Sequence, residues 1–85
     1  MSREYSDLEK AILRKLFVDR FIGKKHTAIN NVPKGFKRHL HGEIKKATKR
    51  LIREGFILVK PTRYGVQVSL DPRRIAEIER IIYAS

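Results

Sequence analysis

Cysteine is absent from the 85 residues, so no disulfide can staple the fold and no thiolate can hold a metal. Stability must come from apolar packing, in a composition that suits a reducing cytoplasm. Long apolar runs are missing as well: the longest clear one is Phe56 to Val59. Met1 to Lys10 carries Arg3, Glu4, Asp7 and Glu9 where a secretory leader would need an apolar stretch. Neither a membrane span nor a leader is expected, and the expected location is the cytoplasm. Glutamine occurs once, as Gln67, beside abundant Lys, Arg, Glu and Ile, a balance that suits a heat-adapted source. A chain of this length supports one core and leaves little room for a deep catalytic cleft.

The most informative scarcity is negative charge in the middle of the chain. Residues 20 to 63 hold thirteen Lys and Arg against two acids, Glu43 and Glu54, whereas the flanks carry seven charges of each sign. The net charge of +11 therefore sits in the centre. A neutral frame around a basic centre is the footprint of a face that binds polyanions; the alternative is a solvated charged surface.

Catalytic machinery is also missing. Lys34-Gly35 lacks the upstream glycine and the following Ser or Thr of a phosphate-binding loop. Asp7 with Glu9 reads as helix-start charge rather than as an acid and base pair. His26, His39 and His41 have no cysteine or nearby carboxylate to complete a metal shell, and histidines beside lysines serve as phosphate contacts or helix caps. Neither an enzyme, a cofactor nor a metal is expected.

What is present is a strong alternation of elements. Residues 6 to 22 predict a first helix, with Ser6 as N-cap, Glu9 three positions on, Leu8, Ile12, Leu13, Leu16 and Phe17 at helical spacing, and Gly23 as its stop. Thr27 to Asn31 predict the start of a short second helix that Pro33 and Gly35 end. A third helix, about Gly42 to Glu54, is closed by Gly55. At ~100° per residue its Ile44, Ala47 and Leu51 form one stripe with Ile52 at the edge, and Lys45, Lys46, Lys49, Arg50 and Arg53 fill an opposite arc of about 140°. Glu43 and Glu54 lie only at its ends, so the cationic face lacks the opposite-sign partners of an ordinary surface helix.

After Gly55 the period changes to that of strands. Phe56 to Val59, then Val66, Val68 and Leu70, predict a two-stranded hairpin that turns between Pro61 and Gly65 and displays Arg63 and Tyr64. Tyr64 either stacks on an exposed base or packs across the hairpin. Asp71 and Pro72 open a last helix with Ile75, Ile78 and Ile82 as its buried stripe.

This order, with Arg53-Glu54-Gly55-Phe56-Ile57 ending the basic helix and Leu70-Asp71-Pro72 opening the last one, resembles the winged helix-turn-helix family. Ala47-Thr48-Lys49-Arg50-Leu51-Ile52-Arg53-Glu54-Gly55-Phe56-Ile57 resembles that family's recognition helix running into its first wing strand. The resemblance covers roughly residues 8 to 82 and implies one α+β winged helix-turn-helix domain over 1–85: three N-terminal helices, a two-stranded wing and a C-terminal helix. It implies that the third helix enters the major groove, with Lys45, Lys46, Lys49 and Arg50 facing DNA and Arg53 nearer the backbone. It places Lys60, Thr62, Arg63 and Tyr64 on a phosphate strand or minor groove. Val32-Pro33-Lys34-Gly35-Phe36 departs from the family's second helix and tight turn, and with Lys37 and Arg38 reads as a basic loop.

The expected partner is nucleic acid, DNA in preference to RNA, in a transcriptional regulator or architectural factor. A Lys-rich face favours affinity over discrimination, with Arg50 as the main candidate base reader. An RNA-binding or ribosome-associated module is the alternative, and a domain that meets an acidic protein is a third. Phe17, Phe21, Ile78, Ile81 and Ile82 suggest either a homodimer through the terminal helices or a core that absorbs them all.

Overall fold

Ser6 and Glu9 open the first helix reciprocally. The Ser6 hydroxyl accepts the Glu9 N–H at 3.1 Å and the Glu9 carboxylate accepts the Ser6 N–H at 2.9 Å, which satisfies two backbone donors that a helix start leaves open. A computed structural model, which describes residues 4–84, gives this helix as α1, Asp7–Val18. Strand β1 (Thr27–Ala28), one-turn helix α2 (Asn31–Lys34), helix α3 (His41–Arg53), strands β2 (Ile57–Thr62) and β3 (Gly65–Leu70) and helix α4 (Ile75–Tyr83) follow. Single 3₁₀ turns, Arg38–Leu40 and Pro72–Arg74, lead into α3 and α4. The fold is α+β, and the described residues form four α-helices and a three-stranded antiparallel sheet in the order β1-β3-β2. Among the described residues no helix is long and apolar enough to cross a membrane.

Three sequence expectations are corrected. α1 ends at Val18 rather than near residue 22, because Arg20 turns left-handed (φ 62°) and frees the following backbone for the sheet. The Leu70 N–H donates to the Phe21 carbonyl at 2.8 Å, and the Gly23 N–H donates to the Leu70 carbonyl at 2.9 Å. Thr27 and Ala28 do not start a helix but pair with Val68 and Gln67, so the sheet has three strands rather than two. Beyond them the Ile29 N–H reaches the Val66 carbonyl at 2.9 Å. The segment expected as a basic loop contains a turn of helix, α2, with Val32 and Pro33 buried. Pro33 is tolerated there because the first turn of a helix has no partners for its N–H groups.

The core joins Ile12, Leu13 and Leu16 of α1, Val32 of α2, Ile44, Ala47 and Leu51 of α3, Phe56, Ile57, Val68 and Leu70 of the sheet region, and Ile78 and Ile82 of α4. Each fully buried Ile, Leu or Phe contributes roughly 1.5–3 kcal/mol of transfer free energy. Ile78 and Ile82 thus belong to the core, and Phe17, Phe21 and Ile81 pack against it half-buried, so one chain accommodates all five terminal apolar residues.

The join between α3 and β2 is closed from two sides. Gly55 adopts φ +86°, its N–H donates to the Ile52 carbonyl at 3.0 Å, and the Phe56 N–H donates to the Leu51 carbonyl at 3.1 Å. This is the double hydrogen bond that satisfies carbonyls at a helix end and requires a left-handed residue. Arg74 from the far end of the chain donates to the Glu54 carbonyl, lies 3.9 Å from the Phe56 ring centroid, and forks onto Glu77 with two bonds of 3.0 Å.

Asp71 caps the following turn: its carboxylate accepts the Arg73 N–H at 2.9 Å and the Arg73 guanidinium at 3.0 and 3.2 Å. Those side-chain and backbone bonds from Arg73 hold its carboxyl below the usual aspartate range, against an opposing contribution from burial.

Gly55→Ala is expected to destabilise the domain by about 1 kcal/mol or more, since the added Cβ is strained at this φ and meets Arg74 Nη1 at 3.0 Å. Gly42→Ala, within α3 with nothing within 4 Å of the added carbon, should instead stabilise it by about 0.5–1 kcal/mol. Urea titrations of the two variants check the opposite signs. Because the Asp71 pKa is lowered on folding, its contribution is present above the unfolded pKa and lost as pH falls through the folded one. Thermal melts from about pH 5 downward should therefore decline less steeply in Asp71→Asn than in the wild type.

Candidate nucleic-acid interface

The burial of four residues fixes the rotation of α3 about its own axis. Ile44, Ala47, Thr48 and Leu51 are turned into the domain. Thr48 is the unexpected member, and its hydroxyl is satisfied by donating to the Ile44 carbonyl at 2.8 Å, so burying it leaves no orphaned polar atom. With that stripe inward, Lys45, Lys46, Lys49, Arg50 and Arg53 are all exposed. On the wheel Lys49 and Arg53 stand opposite the buried stripe, while Lys45 and Arg50 occupy the two edges.

Each edge meets a different neighbour. On the Lys45 side, Lys45, Thr48 and Lys49 line an open cleft of about 240 Å³ with Ile29, Asn30 and Pro33. On the Arg50 side the guanidinium Nε donates to Glu9 Oε2 at 3.4 Å. The Glu9 side chain is only 3 % exposed and that of Arg50 is 45 % exposed, so a buried carboxylate draws in one edge of the cationic face. Glu43 also comes within 3.9 Å of Lys46, but both groups are well solvated and such pairs contribute little. The acid-free face read from the sequence is thus corrected at Lys46 and Arg50. Among the described residues no carboxylate lies within salt-bridge distance of Lys45, Lys49 or Arg53.

The remaining candidates form two further groups. Lys34, at the end of α2, and Lys37 and Arg38, on the connection from α2 to α3, are exposed. Lys15 of α1 joins them: its side chain lies across Gly35, where an added Cβ would meet its Cδ at 3.3 Å. Lys60, Thr62, Arg63 and Tyr64 are exposed on the hairpin. Thr62 and Gly65 form its last pair, leaving Arg63-Tyr64 as a two-residue turn. The Thr62 hydroxyl donates to the Gly65 carbonyl at 2.6 Å and accepts the Tyr64 N–H at 3.3 Å, so Thr62 shapes the tip with its own hydrogen bonds.

Searched against protein families, curated proteins and solved structures, the chain finds no match in any of the three.

Sequence reasoning missed Glu9 as a partner of the cationic face, because the signal it offered was the capping box and the contact spans 41 residues. It also missed Lys24, and it named His26 without its neighbours: both line an open cleft of about 480 Å³ with Lys60, Leu58 and Gln67. That proximity follows from the pairing of β1 with β3. The His41 Nε2 lies 3.0 Å from the Phe36 carbonyl, and no group of three metal-ligating side chains occurs among the described residues.

Arg50→Ala should lower the melting temperature by several degrees, since removing one partner of a buried carboxylate costs about 1 kcal/mol or more. Lys49→Ala and Arg53→Ala, at exposed positions without carboxylate partners, should leave it nearly unchanged. Equal melts for all three variants would show that the Glu9 contact contributes nothing to stability.

Proposed function

We propose that this chain is a winged helix-turn-helix domain that binds duplex DNA, as a regulator or architectural factor, with α3 in the major groove and the β2–β3 hairpin as its wing. The observation that carries the reading is the face of α3: five cations exposed on one side of a helix whose other side is buried, three of them without a carboxylate partner among the described residues. Leaving like charges together costs electrostatic repulsion, which a polyanion in the groove would relieve. An α-helix with its side chains measures roughly 10–12 Å across, close to the width of the B-form major groove.

The surrounding order of elements supports the same assignment. α2 and the Arg38–Leu40 turn lead into α3, and Gly55 connects α3 directly to the hairpin. Lys34, Lys37 and Arg38 supply backbone contacts beside the groove. Lysines act as point charges toward phosphates, so Lys45, Lys46 and Lys49 confer affinity more than discrimination. Arg53 is the arginine of α3 that needs to break no ion pair to engage DNA, whereas Arg50 is oriented by Glu9.

Anisotropy titrations of labelled duplex DNA and of a structured RNA of matched length, each at two salt concentrations, test the proposal. The expected result is tighter binding to DNA, with an affinity that falls steeply with salt. The triple substitution Lys45→Ala, Lys49→Ala and Arg53→Ala should reduce the salt slope by roughly three phosphate contacts without lowering the melting temperature. Preference for RNA would transfer the basic face to an RNA partner, and a slope unchanged by the triple substitution would remove α3 from the interface.

A further inference from the structure

Tyr64 is 89 % exposed, more than any other large apolar or aromatic residue described. The other two tyrosines have ring partners: Tyr5 meets Phe56 edge-on at 5.7 Å and Tyr83 meets Phe17 edge-on at 6.2 Å. Tyr64 has no ring or cation partner among the described residues. Laying the ring across the hairpin would remove apolar surface from water, yet it stands clear of the strands. The tip that carries it is short and held by the two hydrogen bonds of the Thr62 hydroxyl. With the backbone of the turn fixed in this way, binding has to order the ring's own side-chain torsions and little else.

The strands below the tip add a second, independent observation. Side chains alternate along a strand, so the face that buries Ile57, Val68 and Leu70 continues toward the tip as Val59, Pro61 and Val66. There it is open to solvent, with Val59 41 % and Val66 36 % exposed. Lys60 lies on the other face, and Arg63 sits at the turn. In a chain of net charge +11, one side of the hairpin is thus apolar up to its tip. A hairpin that only followed phosphates would carry Lys or Arg there; apolar side chains suit contact with sugars and base faces.

We propose that the hairpin tip is a stacking wedge for an unstacked nucleobase. Tyr64 lies against the face of a base at a bulge or other break in the duplex stack, Val59, Pro61 and Val66 cover the adjoining sugars, and Arg63 pairs with a flanking phosphate. The proposal rests on the nucleic-acid-binding reading and adds a preference for distorted over continuous duplex. Every base presents a π-face, so the preference is for base accessibility rather than for sequence. A base that is already unpaired costs least to engage.

The test compares a fully paired DNA duplex with one of equal length that carries a single unpaired 2-aminopurine, read by anisotropy and by 2-aminopurine emission. Wild-type protein should bind the bulged duplex roughly tenfold more tightly and quench its emission. Tyr64→Ala should lose both the preference and the quench, Tyr64→Phe should keep both, and Lys49→Ala should weaken binding to the two duplexes equally with the preference intact. A thermal melt confirms that Tyr64→Ala remains folded. Equal wild-type affinity for both duplexes, or an undiminished quench in Tyr64→Ala, would overturn the wedge and leave the groove-binding reading standing. Failure to bind either duplex would remove both.

Discussion

The rotation of α3 about its axis is the constraint on which the exposed chemistry of this domain depends. Ile44, Ala47, Thr48 and Leu51 lock that rotation by burial, and turning the helix by one residue would bring a cation into the core. The same burial that stabilises the domain thereby directs Lys49 and Arg53 outward. Gly55 and Arg74 then fix where the helix stops, so the hairpin begins at a set point relative to the cationic face.

Glu9 connects that face to the opposite end of the chain. Its carboxylate accepts the first backbone N–H before α1 and the Arg50 side chain of α3. Burying a carboxylate is costly unless its hydrogen-bonding capacity is used, and here capping and ion pairing use it together. Arg50 is therefore a junction residue as well as a member of the basic face. The arginine that looked best suited to reading bases is the one whose position is tied to the core.

The hairpin combines two chemistries in a few residues. The Thr62 hydroxyl closes the turn, Lys60 and Arg63 carry charge, and Val59, Pro61, Val66 and Tyr64 leave apolar surface in water. β2 is an outer strand of the sheet, the place where a proline without an N–H is tolerated. Among the described residues no strand pairs with the outer edge of β2.

The sequence by itself determined the features that arise from neighbours three or four residues apart. The Ser6–Glu9 capping box, the two-sided character of α3, its end at Gly55, the Arg63-Tyr64 turn and the Asp71 cap were all legible because their hydrogen bonds and periodicities are local. The central placement of positive charge was legible for the simpler reason that it is a count. Only the tertiary structure decided that Thr27 and Ala28 join β3, that Phe21 leaves α1 for Leu70, that Glu9 meets Arg50 and that Tyr64 stands clear of the strands. The first three join groups distant in the chain, and a two-residue strand has too little pattern of its own to reveal its partner. For Tyr64, packing and display are equally compatible with the local sequence, and the choice depends on how the finished hairpin leaves its surroundings.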